Sequence, residues 1–276
     1  MTKEQERARA RRRWEKQQAN LRQREADRAR RLRVAAVIGT VVGVVALIAV
    51  LGSVFGSRSA DTPGAQDSPS ASASPSAAPS LAAGCEQPPA PLGTGAQLAL
   101  PDKAAAEGKT FVATVTTTCG DIELTLDGTK APQAVAAFSE LASKGYWLNA
   151  PCHRLTTSAS LKVLQCGDPT GTGQGTPGFG FGVENAPADG AYPRGTVAMA
   201  RTSDPEKGNG GQFFLVHGDS SLPDPDGYTV FGTVTSGLDI VDKIAQAGVA
   251  PGGSPDDGAP AAPISILRVA VTEKKA

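Results

Sequence analysis

Histidine, tryptophan and methionine are nearly absent from this chain of 276 residues, which holds two of each. The two histidines, His153 and His217, lie far apart, and the four cysteines, Cys85, Cys119, Cys152 and Cys166, form no CxxC pair. A structural zinc site needs clustered Cys and His ligands, so no metal is expected. A dinucleotide is not expected either. Gly173-Gln174-Gly175-Thr176-Pro177-Gly178 matches the GxGxxG spacing letter for letter, but Pro177 and Gly178-Phe179-Gly180 cannot open the helix whose N-terminus would meet a pyrophosphate. That stretch reads as a surface loop, and no cofactor is called for.

Net charge is also absent, with 27 basic against 27 acidic residues, yet the balance hides an uneven distribution. Residues 1–33 carry 13 Lys/Arg against 5 Asp/Glu and almost no apolar side chains; such a stretch cannot form a core and reads as a solvated basic arm. Residues 34–55 are 22 uncharged residues, long enough as a helix to cross a hydrocarbon core of about 30 Å. A secretory signal peptide would have a shorter apolar run with a small-residue cleavage site close behind it. We therefore read 34–55 as a transmembrane helix. The positive charge just before it places the arm in the cytoplasm and the rest outside. The remainder is mildly acidic, which argues against a nucleic-acid partner. Residues 56–107 begin with a Ser/Ala/Pro repeat and continue Pro-rich and irregular, the composition of an extracytoplasmic tether.

From residue 108 to 273 the pattern becomes that of a folded domain. Thr110–Thr117 is a β-branched strand, and residues 122–127 alternate apolar and polar; the turn at 119–121 makes them a hairpin. Pro132 followed by Val135, Phe138 and Leu141 marks a short amphipathic helix, and residues 238–245 a second. Residues 152–157, 161–166, 195–201, 212–216, 229–234 and 264–271 read as further strands. Many short strands with two helices imply a mainly β fold, a closed antiparallel barrel. In an oxidising compartment an even number of cysteines favours disulfides. Four permit three connectivities; strands 152–157 and 161–166, if paired, bring Cys152 roughly opposite Cys166, which leaves Cys85 with Cys119.

Four separated pieces then carry a family resemblance: Cys152-His153-Arg154 with Gln165-Cys166-Gly167-Asp168; Gly195 to Arg201; Gly211-Gln212-Phe213-Phe214; and Tyr228 to Val234. In this order and spacing they resemble the cyclophilin-type peptidyl-prolyl isomerases, over about Thr110 to Val271. The resemblance implies an eight-stranded barrel capped by two helices, with an active groove on its outer face. It implies that Arg154 is the catalytic arginine and that Gln165 and Gln212 line the groove and orient peptide and arginine. Phe214 becomes the floor of a proline pocket shared with Val163 and Leu222. Ala200 and Arg201 match the segment that binds the substrate backbone, and Tyr228 stands at the pocket position where the family has histidine. The basic arm and Ser/Ala/Pro tether resemble those of actinobacterial envelope proteins. A monomeric, membrane-anchored isomerase acting on Pro-containing polypeptides outside the cytoplasm follows as the expectation.

The chemistry asks little of the side chains. Rotation about X-Pro meets a barrier of about 18–20 kcal/mol because the amide C–N bond has partial double-bond character. No nucleophile or proton shuttle is needed; a permanently charged guanidinium near the prolyl nitrogen suffices. His153 accordingly reads as a packed residue rather than a base, and His217 as a bystander. Phe213 and Phe214 must face opposite sides of one strand. Two departures from the family stand out. About three extra residues fall between Arg154 and Gln165, with Lys162 at or beside a usual phenylalanine, and Leu222 stands near a usual tryptophan. The rival reading is a binding module on the same barrel that captures Pro-containing segments without turnover.

Overall fold

A computed structural model describes residues 80–275. The expected arm, transmembrane helix and most of the tether lie outside the described residues. Among the described residues no helix is long and apolar enough to cross a membrane.

Strands β1 (Thr110–Thr117) and β2 (Gly120–Asp127) form the expected hairpin, each burying alternate side chains. The turn sits one residue earlier than expected, because the Thr117 hydroxyl donates to Gly120 O at 2.7 Å and accepts from Cys119 N at 3.0 Å. Helix α1 (Pro132–Ser143) buries Val135, Phe138 and Leu141. Its N-cap, Ala131, has no side chain to offer; the Glu184 carboxylate instead accepts from Gln133 N and Ala134 N at 3.1 and 3.0 Å, a cap supplied from elsewhere in the chain.

The remaining elements are β3 (Ala150–Pro151), β4 (Arg154–Thr157), β5 (Lys162–Cys166), β6 (Ala191–Tyr192), β7 (Thr196–Arg201), β8 (Asn209–Val216), β9 (Ser220–Ser221), β10 (Val230–Ser236), α2 (Leu238–Ala247), β11 (Asp257–Gly258) and β12 (Ser265–Glu273). All strands but β6 and β9, which pair with each other, join one curled sheet in the order β11-β4-β5-β8-β7-β10-β2-β1-β12-β3.

The sheet thus has ten strands and is open, where a closed barrel of eight was expected. The eight longer strands are present; the difference lies at the seam. The edge of β4 that a closing strand would need is occupied by β11, through Asp257↔Thr156 and Gly258↔Leu155. On the other side β12 ends against β3. Only Cys152 and His153 separate β3 from β4, so the curl brings the two ends of the sheet within a two-residue step. Cys152 N donates to Ile264 O at 2.9 Å, and the Cys152–Cys166 disulfide links that step to β5. The second bridge joins Cys85 to Cys119, completing the expected connectivity.

One core cluster lies between sheet and helices, where Phe138 meets Trp147, Phe213 and Phe231 at centroid distances of 4.6, 5.4 and 5.4 Å. A second, smaller cluster of Val163, Tyr192, Ala198, Phe214 and Val216 occupies the opposite face of β8. Phe213 and Phe214 therefore part company as the pleat requires. The segment 80–107 is held against the folded domain: Glu86 N donates to Thr118 O, Gly93 N to Pro169 O and Leu98 N to Pro177 O.

Candidate active site

Three adjacent strands carry the polar half of the site. Antiparallel register sets Arg154 opposite Gln165 and Gln165 opposite Phe214. Period two then puts Val163 and Gln212 on the same face. From the guanidinium a chain of hydrogen bonds runs across β4, β5 and β8. Arg154 Nη1 donates to Gln165 Oε1 (3.2 Å), Gln165 Nε2 to Gln212 Oε1 (2.9 Å), and Gln212 Nε2 to the carbonyls of Gly173 and Gly175 (3.0 and 3.2 Å).

Those two carbonyls belong to the glycine-rich stretch read from sequence as a surface loop. It is anchored from below by Asp168, whose buried carboxylate accepts from Thr170 N and Oγ1 (both 2.8 Å) and from Gly175 N (3.1 Å). Burial opposes ionisation of Asp168, but these donors outweigh it and hold the carboxyl below its usual range. The loop lines a groove of about 350 Å³ together with Gln165, Gln212, Ala200 and Arg201.

The apolar half is the second cluster. Phe214 lies 6.3 Å from Tyr192 and 5.9 Å from Tyr228, centroid to centroid, and Leu222 and Ala200 pack at its margin. Tyr192 is the residue that sequence reasoning passed over. Its hydroxyl accepts from Tyr228 N at 2.8 Å and donates to Tyr228 O at 3.3 Å, fixing the backbone that presents the pocket tyrosine. Burial, with Asp224 adding to it, pushes the Tyr228 phenol above its ordinary pKa.

Arg201 has its guanidinium turned to the loop after β9 rather than left free. Nε donates to Gly227 O (2.7 Å), Nη1 to Thr202 O (2.9 Å), and the guanidinium carbon sits 4.9 Å from the Tyr228 ring centroid. Nη2 lies 2.7 Å from Asp224 Oδ1 without a directed hydrogen bond, so that contact is a charge pair. Arg201 thus latches the loop bearing Leu222 and Tyr228. Of the altered rim, Ser158 caps its own turn through Leu161 N (3.1 Å), and Ser160 O accepts from Ser221 N (2.8 Å). The extra residues are docked on β9.

Arg154 has a partner that no sequence motif marks. Asp257, 103 residues downstream, accepts from Nε and Nη2 at 2.8 Å each, a bidentate pair. The arginine's hydrogen bond to Asp257 holds that carboxyl below its usual pKa. His153 and His217 are both partly buried. Burial lowers the pKa of both, partly offset for His153 by Asp168 and for His217 by its bond to Thr156 O.

Residues 111–271 match the family model "Cyclophilin type peptidyl-prolyl cis-trans isomerase/CLD". The chain is 41% identical over 206 residues to a "Probable peptidyl-prolyl cis-trans isomerase B" of Mycobacterium tuberculosis, covering 69% of this chain and 64% of that protein. It is 42% identical over 206 residues to the protein of the same name in Mycobacterium leprae, covering 68% and 66%. A "Peptidyl-prolyl cis-trans isomerase" of Helicobacter pylori is 40% identical over 144 residues, or 51% of this chain and 84% of that one. The chain therefore spans just under two thirds of the length of the mycobacterial relatives.

Proposed function

The chain belongs to the cyclophilin-type peptidyl-prolyl cis-trans isomerase family, and from that premise we propose that it catalyses cis-trans isomerisation of X-Pro bonds in polypeptides outside the cytoplasm. The observation that carries this reading is the alignment of Arg154, Gln165 and Gln212 across one face of three adjacent strands beside Phe214. A proline ring seated on Phe214, Val163 and Tyr228 places its nitrogen toward β4. As the amide twists, the nitrogen loses resonance and gains a localised lone pair, and a guanidinium N–H directed at that pair favours the twisted state over the planar ones. Gln165 and Gln212 keep the arginine and the peptide carbonyls in register, while Ala200 lines the path of the chain.

We also place the protein at the cell membrane, anchored through residues 34–55 with the folded domain outside and folding secreted or envelope chains. The charge-free run, the basic arm before it and the two disulfides support this placement. The altered rim at Lys162 and Leu222 favours one rival, a module that binds Pro-containing segments without turnover.

A protease-coupled assay on a short X-Pro peptide separates the two. Isomerase activity that falls by about 10²-fold or more in Arg154→Ala is expected; equal, near-zero rates for both proteins would leave the binding module.

A further inference from the structure

We propose that Asp257 is the positioning residue of the catalytic arginine, acting through Arg154 rather than on the peptide; the proposal rests on the isomerase reading above. The loop between α2 and β12 is built as a small hairpin that delivers this carboxylate. Ala261 N donates to Gly248 O and Ala250 N to Ala259 O, both at 2.8 Å. Ser254 bridges to Asp257. The hairpin then docks edge-on against β4, where Thr157 N donates to Asp256 O at 2.9 Å and Asp257 and Gly258 pair with Thr156 and Leu155. The fit is close: a Cβ on Gly258 would lie 2.9 Å from Val249 Cγ1.

A guanidinium carries five N–H donors in one plane. Asp257 takes the Nε donor and one on Nη2, and Gln165 takes one on Nη1. One N–H on each terminal nitrogen stays open, and these are the donors a prolyl nitrogen and its neighbouring carbonyl can use. A long side chain that would otherwise sample many rotamers is held in one plane before the peptide arrives. The carboxylate also offsets some of the guanidinium charge. The Arg154 and Asp257 side chains are 38% and 45% exposed, so water screens that opposing effect and the geometric one prevails.

The test uses the full-length chain in detergent with the substitutions Asp257→Ala, Asp257→Asn and Asp257→Glu, and Arg154→Ala as reference. Turnover of an X-Pro peptide and the ¹H–¹⁵N signal of Arg154 Nε are measured on each. With Asp257→Ala we expect kcat to fall on the order of ten-fold with KM within about two-fold. Asp257→Asn, which keeps the shape but not the charge, falls in between, and Asp257→Glu recovers most of the loss. In Asp257→Ala the Nε proton moves upfield and exchanges faster with water, while the melting temperature holds. Unchanged or increased kcat with a shifted Nε signal overturns the proposal, as does an Nε signal identical to wild type. If wild-type turnover equals that of Arg154→Ala, the isomerase reading is what fails. Titration of the same peptide then decides the positioning role, with affinity unchanged in Asp257→Ala overturning it and a clear weakening upholding it for a binding groove.

Discussion

Tyr192 illustrates how a single hydroxyl can set a pocket. It is fully buried, and both of its hydrogen bonds go to the backbone of Tyr228, so it shapes the pocket without lining its mouth. Tyr192→Phe keeps the ring and removes the bonds; we expect a loss of about 1 kcal/mol in stability, measured by urea unfolding, because the part-buried Tyr228 N–H loses its partner. The rim is the other place where one residue matters. Leu222 offers less surface than an aromatic, so Leu222→Trp is expected to tighten binding of a Pro-containing peptide by about 1–3 kcal/mol, read by calorimetry. Arg154, Gln165, Gln212 and Phe214 were legible in the sequence because each stands in one of the short motifs that carry the family resemblance, on strands that period and turn residues mark. Tyr192 and Asp257 were not. Each lies on a two-residue strand inside a Gly/Pro/Asp-rich loop, and only long-range pairing brings it to the site.

At the scale of elements, most strands and both helices followed from period and turn residues, and the regular core of the fold was therefore readable. The seam was not, because β3 and β11 are too short to leave a pattern. Their effect is large nonetheless, since β11 takes the β4 edge and leaves the sheet open. The Cys152–Cys166 bridge lies beside this seam and directly flanks the Arg154↔Gln165 pair. Replacing both cysteines by alanine is expected to lower unfolding free energy by about 3 kcal/mol, and to reduce isomerase activity before the domain unfolds in a denaturant titration. The buried Tyr146 ring packs against Gly211, the groove-lining residue preceding Gln212. A Cβ there would lie 2.6 Å from the Tyr146 ring. Gly211→Ala is expected to cost about 1–3 kcal/mol by overpacking, seen as a lower melting temperature.

For the whole molecule, titration separates stability from catalysis. His153 and His217 have folded pKa values below the ordinary histidine value, so the unfolded chain binds more protons as pH drops through about 6.5. The stability they contribute is full above that pH and is lost as pH falls toward the folded values. Urea midpoints should accordingly be lower at pH 5.5 than at pH 7.5. Turnover per folded molecule, which depends on a guanidinium, should stay flat over the same range. A histidine-shaped fall in kcat would point to a proton-transfer role.

The central claim is that this groove turns X-Pro bonds over, and not merely that it holds them. Exchange NMR measures this without a coupling protease, by following cis and trans signals of an X-Pro peptide at equilibrium with catalytic amounts of the protein. We expect cross-peaks between the two isomers that appear with wild-type protein and vanish with Arg154→Ala, while peptide binding persists in both. Peptide binding by the wild type with no acceleration of exchange would contradict the account.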